Sequence, residues 1–109
     1  MGKYFVRRGE CSQHTLFPGV EAFTVGGQDM LLSWVELAPG SIVERHSHPH
    51  EQMGVLIAGS VVFEIDGECQ SLEPGDAWRI PGDVPHRVVA GDQGAKALDV
   101  FHPVREDYL

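Results

Sequence analysis

Three histidines and one amide in this sequence are spaced as ligands for a single divalent ion: His46, His48, Gln52 and His86. His46 and His48 stand two residues apart, so on an extended chain both imidazoles leave the same face. Gln52 follows, and Pro49 between them marks a bend that brings its amide back toward the same point. His86 comes after the turn Pro81-Gly82-Asp83-Val84-Pro85 and leads the next strand inward. Three imidazoles and one oxygen donor, with coordination positions left open, suit Zn, Ni, Mn or Fe, and Co as well. An ion held this way polarises a bound oxygen and stabilises negative charge developing on it. His14, alone in its segment, reads as an ordinary solvated or hydrogen-bonded side chain.

The run His46-Ser47-His48-Pro49-His50 can arise without a metal, so the elements that carry it matter. No helical period persists for as long as ten residues, and 13 Gly and 7 Pro cut the chain into short apolar runs. Strands are expected over Glu21–Val25, Met30–Leu37, Ile42–His46, Gln52–Ala58, Val61–Ile65, Cys69–Leu72, Ala77–Ile80, Arg87–Ala90 and Ala95–His102. Asp66-Gly67 is the strongest hairpin signal, because a tight primed turn needs residues tolerant of positive φ. Ala58-Gly59-Ser60 reads as a second hairpin, and Gly91–Gly94 as a turn. Val61, Phe63 and Ile65 place one bulky face inward. The fold class is therefore all-β, a small closed barrel or jelly roll, which leaves few exposed edges.

Composition narrows the function. At 109 residues, 42% apolar and 22% charged, the chain reads as one globular domain over 1–109. The net charge of −8 and the lack of a basic cluster beyond Arg7-Arg8 speak against a nucleic-acid partner. An anionic ligand would be drawn in by the metal and a local cation, not by the overall field. Cys11 and Cys69 lack metal-type spacing and read as reduced thiols. The N-terminus has no signal-peptide apolar run, and no stretch approaches the roughly 18 apolar residues of a membrane span. A cytoplasmic protein without membrane contact is expected.

Gly40, five residues, His46-x-His48, three residues, Gln52, six residues, Gly59 forms one pattern. Gly75, five residues, Pro81-x-Asp83, two residues, His86 forms another, 15 residues further on. Together, over 40–59 and 75–90, they resemble the two motifs of the cupin superfamily. That resemblance implies the double-stranded β-helix barrel, one divalent ion on these four residues, and a homodimer. Asp83 stands where the second motif usually has Gly, Ala90 where it often has Asn, and Gln52 where a Glu ligand is usual. Glu51, one residue off, faces away by strand alternation. A neutral amide leaves more positive charge on the ion, which favours an anionic substrate over carboxylate-dependent oxygen chemistry.

At the C-terminus, Asp99, Phe101 and, through Pro103, Arg105 share one face of a terminal strand. Two readings stand on these residues alone. If the face lines the barrel, an inward Asp and Arg must pair or bind something polar. Otherwise Arg105 and Asp107 form a solvated tail and Asp99 caps an edge. This ending, joined to His46-x-His48-Pro49-His50-Glu51-Gln52, resembles the KdgF-type cupins of pectin and alginate breakdown. The resemblance implies ring-opening tautomerisation of 4,5-unsaturated uronate monosaccharides to linear 5-keto-4-deoxyuronates. In it Asp99 would shuttle the proton, Arg105 would fix the substrate carboxylate through a two-point contact, and Phe101 would wall the sugar. Gln52 would be both a ligand and a hydrogen-bond donor. Two rival functions are a metal cupin dioxygenase or isomerase acting on another small substrate, and a non-catalytic sugar-binding cupin.

Overall fold

The structure is a computed structural model and describes residues 4–109; the first three residues of the N-terminal segment lie outside it. Eight strands follow in order: β1 (Ser12–Phe17), β2 (Val20–Gly26), β3 (Leu31–Leu37), β4 (Ile42–His46), β5 (Glu51–Ile65), β6 (Glu68–Leu72), β7 (Ala77–Ile80) and β8 (His86–His102). A turn of 3-10 helix precedes them at Arg8–Glu10 and another follows at Glu106–Tyr108. None of the described helices is long and apolar enough to cross a membrane.

Two long strands make the frame. β5 and β8 pair antiparallel from Glu51↔His102 through to Ile65↔His86. Each half of each strand then takes a different outer neighbour. The first half of β8 pairs with β4, including His46↔His86, and its second half pairs with β3, from Leu37↔Ala95 to Leu31↔Phe101. β7 lies on the first half of β5 and β6 on the second. β2 and then β1 extend the sheet from β3. This is the all-β jelly-roll barrel that strand spacing predicts.

Both long strands bend at one corner. Register shifts lie on β5 between Leu56 and Ala58, opposite Lys96 and Ala97, and between Gly59 and Val61, opposite the Gly91–Gly94 stretch of β8. Gly59 and Gly94 have φ of 80° and 73°. A Cβ on Gly59 would fall 2.0 Å from the Gly94 carbonyl oxygen, and one on Gly94 would fall 2.6 Å from that of Leu37. These facts correct two expectations. Ala58-Gly59-Ser60 is not a hairpin, and Gly91–Gly94 is not a turn between separate strands. Bulges of this kind bend a strand without reversing it, and β5 stays bonded to β8 on either side of the bend. β1 was not expected either: Ser12–Phe17 lacks apolar alternation, and it is held at the sheet edge by β2.

Elsewhere local pattern and structure agree. Asp66 and Gly67 take φ of 50° and 84° and close the β5–β6 hairpin at Ile65↔Glu68. Val61 and Phe63 are buried, with Ile65 packed beside them, and inward Val20, Ala22, Val35, Leu37, Leu56 and Ile80 complete the apolar filling. That alternation is the period-two signature of strands with one face on a core. We expect Gly59→Ala to cost well over 1 kcal/mol, since it combines positive-φ strain with a backbone collision. Gly67→Ala, at a similar φ but with nothing within 4 Å of the new Cβ, carries only the strain. Urea midpoints of the two variants check this; equal losses would remove the close approach as the reason for Gly59.

Candidate metal centre and its cavity

Because β5 and β8 fold over at the glycine corner, their opposite ends meet at the far end of the barrel. His46 closes β4 and His86 opens β8 as its ladder partner, with ring centroids 4.4 Å apart. His48 lies just beyond β4 and not on it, yet its ring comes within 5.0 Å of His86 and 5.6 Å of His46. The loop carrying it is pinned from below. Asp83 donates its N–H to the His48 carbonyl at 2.7 Å, and Gly82 leaves room for Pro49, whose carbonyl oxygen would sit 2.4 Å from a Cβ there. Asp83 itself has a φ of 67°, a left-handed position that Asp tolerates, which explains how it replaces the usual glycine.

The three imidazoles share one hydrogen-bond logic. Nδ1 of His46 faces the Glu44 carbonyl at 2.8 Å, that of His48 the His50 carbonyl at 3.0 Å, and that of His86 the Val84 carbonyl at 2.9 Å. A carbonyl only accepts, so each Nδ1 carries the proton and each Nε2 presents a lone pair. Potential ligand atoms of the three rings lie within 4.8 Å of one another. Burial lowers the His48 pKa, with Arg105 adding to it, and burial pushes His86 down to about 4 against the pull of the Val84 carbonyl. Both shifts favour the neutral ring in His48 and His86, the form that binds metals.

Two further observations fit a divalent ion. His86 Nε2 is buried and has no hydrogen-bond partner among the described residues. His48 Nε2 faces Gln52 Oε1 at 3.0 Å, while the Gln52 amide nitrogen donates to Asp99 Oδ1 at 3.0 Å. Two acceptors thus face each other, an arrangement that a shared cation resolves. His46, His48, His86 and Gln52 would hold the ion, and Glu51 is exposed, away from it.

Asp99 and Phe101 point inward from β8, and Arg105 follows them into the same cavity of about 60 Å³. The solvated-tail reading of Arg105 is therefore corrected: only 11% of its side chain is exposed. Asp107 caps one edge of the guanidinium, taking Nε at 3.3 Å and Nη2 at 2.9 Å, and the Tyr108 ring lies 3.9 Å beneath. Nη1 is buried and unpartnered among the described residues. Asp107 was expected in the same tail; it is exposed, but works as the clamp that orients Arg105. His14 is also structural, meeting the Tyr108 carbonyl at 3.0 Å through Nε2.

Sequence reasoning missed Trp78. Its indole N–H donates to Asp99 Oδ1 at 2.7 Å, so Trp78 and Gln52 load the same carboxylate oxygen and leave Oδ2 without a protein hydrogen bond among the described residues. Gly54, between them on β5, makes this possible: a Cβ there would lie 2.3 Å from both Asp99 Oδ1 and Trp78 Nε1. Burial still outweighs the two donors and raises the Asp99 pKa to about 6. The available signal was that a buried Trp needs an acceptor for its N–H.

A family model for the cupin domain matches residues 33–101, well over half of the chain. The chain belongs to the cupin family. Among curated cupin relatives, it is 35% identical over 82 residues to the pectin degradation protein KdgF of Dickeya dadantii, covering 74% of each chain. It is also 35% identical over 88 residues to the dimethylsulfoniopropionate lyase DddW of Ruegeria pomeroyi, covering 81% of this cupin but 56% of that protein. Among solved structures, KdgF from a Halomonas species superposes with a TM-score of 0.86 at 29% identity, each chain covered in full. An RmlC-like cupin from Shewanella frigidimarina, at 22% identity and a TM-score of 0.89 over 99% of this chain and 97% of its own, shares the fold.

Two predictions follow from this geometry. Elemental analysis should find one divalent ion per chain in the wild type and loss of it in His48→Ala and His86→Ala; unchanged metal content in both would remove these ligands. Trp78→Phe and Gly54→Ala should each lower the unfolding midpoint, by about 1–3 kcal/mol of stability for a lost hydrogen bond to a carboxylate. Wild-type stability in Gly54→Ala would contradict the close Trp78–Asp99 approach.

Proposed function

We propose that this cupin converts 4,5-unsaturated uronate monosaccharides, the products of pectate or alginate lyases, into linear 5-keto-4-deoxyuronates. The observation that carries this reading is the convergence of an unpartnered Arg105 Nη1, the free oxygen of Asp99 and the histidine cluster on one cavity. The likeness to the pectin degradation protein KdgF supports it.

Opening the substrate's hemiacetal breaks the C1–O5 bond, leaving an aldehyde at C1 and an enol across C4 and C5. The enol hydroxyl then loses its proton while C4 gains one, and the product is a ketone at C5. A divalent ion on His46, His48, His86 and Gln52 would supply positive charge for the enolate oxygen. Arg105 receives the substrate carboxylate on the guanidinium edge left open by Asp107. Asp107 uses two of the five N–H donors, so Nη1 and the second proton of Nη2 remain for a two-point contact. Asp99, fixed through Oδ1 by Trp78 and Gln52, carries the proton on Oδ2. Phe101 gives the sugar an apolar wall.

The likeness to a dimethylsulfoniopropionate lyase favours a second reading, elimination from a small carboxylate. That substrate brings a sulfonium cation, and the aromatic faces of Tyr108 and Phe101 that suit a cation already hold Arg105. The uronate, with no cation of its own, fits better.

Mixing the purified protein with a pectate- or alginate-lyase digest tests the proposal. The conjugated-alkene absorbance should fade faster than it does spontaneously, without oxygen uptake. Asp99→Ala should keep its metal and lose about 10²–10⁴-fold in rate, and Arg105→Lys should recover little over Arg105→Ala because an ammonium lacks the planar fork. Equal decay with and without protein would sink the proposal, and release of dimethyl sulfide from dimethylsulfoniopropionate would favour the second reading.

A further inference from the structure

One inward row of side chains crosses five strands in register: Thr24 on β2, Ser33 on β3, Asp99 on β8, Gly54 on β5 and Trp78 on β7. Four of them have a role within the protein itself. Thr24 donates its hydroxyl to the Tyr108 carbonyl, Trp78 donates to Asp99, Asp99 accepts, and Gly54 makes the room. Ser33 does none of these. Its side chain is buried, with the residue 1% exposed, and its hydroxyl has no partner among the described residues.

A buried hydroxyl without a partner costs stability, and packing does not call for one here. The neighbouring inward row is filled by Ala22, Val35 and Ala97, so small apolar residues fit this wall. Ser33 lines the cavity that Asp99, Phe101 and Arg105 also line, directly across the ladder from Asp99.

We propose that Ser33 is a substrate-contact residue that hydrogen-bonds a hydroxyl of the bound sugar acid beside Asp99. This assignment rests on the uronate reading and deepens it. Arg105 offers donors alone and suits the carboxylate, whereas a serine hydroxyl both donates and accepts and so matches a sugar hydroxyl. Ser33 thereby selects a hydroxylated acid over an apolar acid of similar size, because the apolar acid would leave the buried hydroxyl unpaired.

The test compares wild type with Ser33→Ala and Ser33→Cys, using unsaturated galacturonate from a pectate-lyase digest. Ala removes the hydroxyl, and Cys keeps the side-chain shape at slightly greater volume with only a weak donor. Both variants should retain metal and match or exceed the wild-type melting temperature, since an orphaned polar group has been removed. Both should lose roughly five- to tenfold in kcat/KM, the worth of one hydrogen bond. A lowered melting temperature in both would make Ser33 structural, held by ordered water, and would overturn the assignment. Wild-type kcat/KM in Ser33→Cys alone would trace the effect to volume, and would overturn it too. Full activity in both variants beside an active wild type would remove Ser33 while leaving the uronate reading intact. An inactive wild type would remove the reading itself and Ser33 with it.

Discussion

The corner at Gly59 and Gly94 is the constraint on which the remaining architecture depends. A pair of long antiparallel strands that stayed straight would carry His86 and Phe101 to opposite ends of a flat ribbon. Bending β5 and β8 together keeps their ladder intact and folds the ribbon over, so residues distant along the same strand come to face each other. The approach that makes this possible leaves no room for a Cβ on either glycine. His86 pairs with Ile65 at one end of the ladder, yet its ring lies 5.0 Å from that of His48, just before the other end, which shows how closely the two halves meet.

That far end holds an unusual density of buried polar groups: His48, Gln52, His86, Asp99, Arg105, Thr24 and Ser33. Burying them is unfavourable unless each finds a partner. Most do so through neighbours that fix direction as well as satisfy a bond. Main-chain carbonyls turn the imidazole lone pairs inward, Asp107 holds one edge of Arg105, and Trp78 with Gln52 holds one oxygen of Asp99. Among the described residues, five buried side-chain polar atoms have no partner; Nε2 of His86, Nη1 of Arg105 and Oγ of Ser33 belong to residues lining one cavity, while Nε1 of Trp34 and Nδ1 of His50 lie outside it. Three of the five thus converge on one cavity, where a ligand could pair with all of them in a preorganised setting.

Charge distribution agrees with this division. The chain carries a net charge of −8, yet the cavity presents imidazoles, a guanidinium and a single carboxyl whose pKa burial has raised. An anion therefore meets inside the barrel a cationic partner that the overall charge of the chain does not supply. The Arg105 guanidinium is held over the Tyr108 ring, and the Tyr108 carbonyl accepts hydrogen bonds from Thr24 and His14. The terminal turn, tied to β1 and β2, thus serves the site by bracing the buried Arg105 guanidinium.

Local sequence determined a good deal here. The spacing of His46, His48, Gln52 and His86 named the candidate ligands, Asp66-Gly67 fixed a hairpin, and alternation put Asp99, Phe101 and Arg105 on one face. Each is a short-range property: residue type, turn chemistry, or a period of two. Tertiary structure decided which inward residues are neighbours. Strand alternation says that Ser33, Gly54, Trp78 and Asp99 look inward, but only the register between strands places them in one row. The same holds for Gly59, whose local pattern suits a reversal as well as a bend, and whose role depends on the β8 carbonyl lying 2.0 Å from where a side chain would begin. Cross-strand register is set by contacts far apart in the chain, and no local period encodes it.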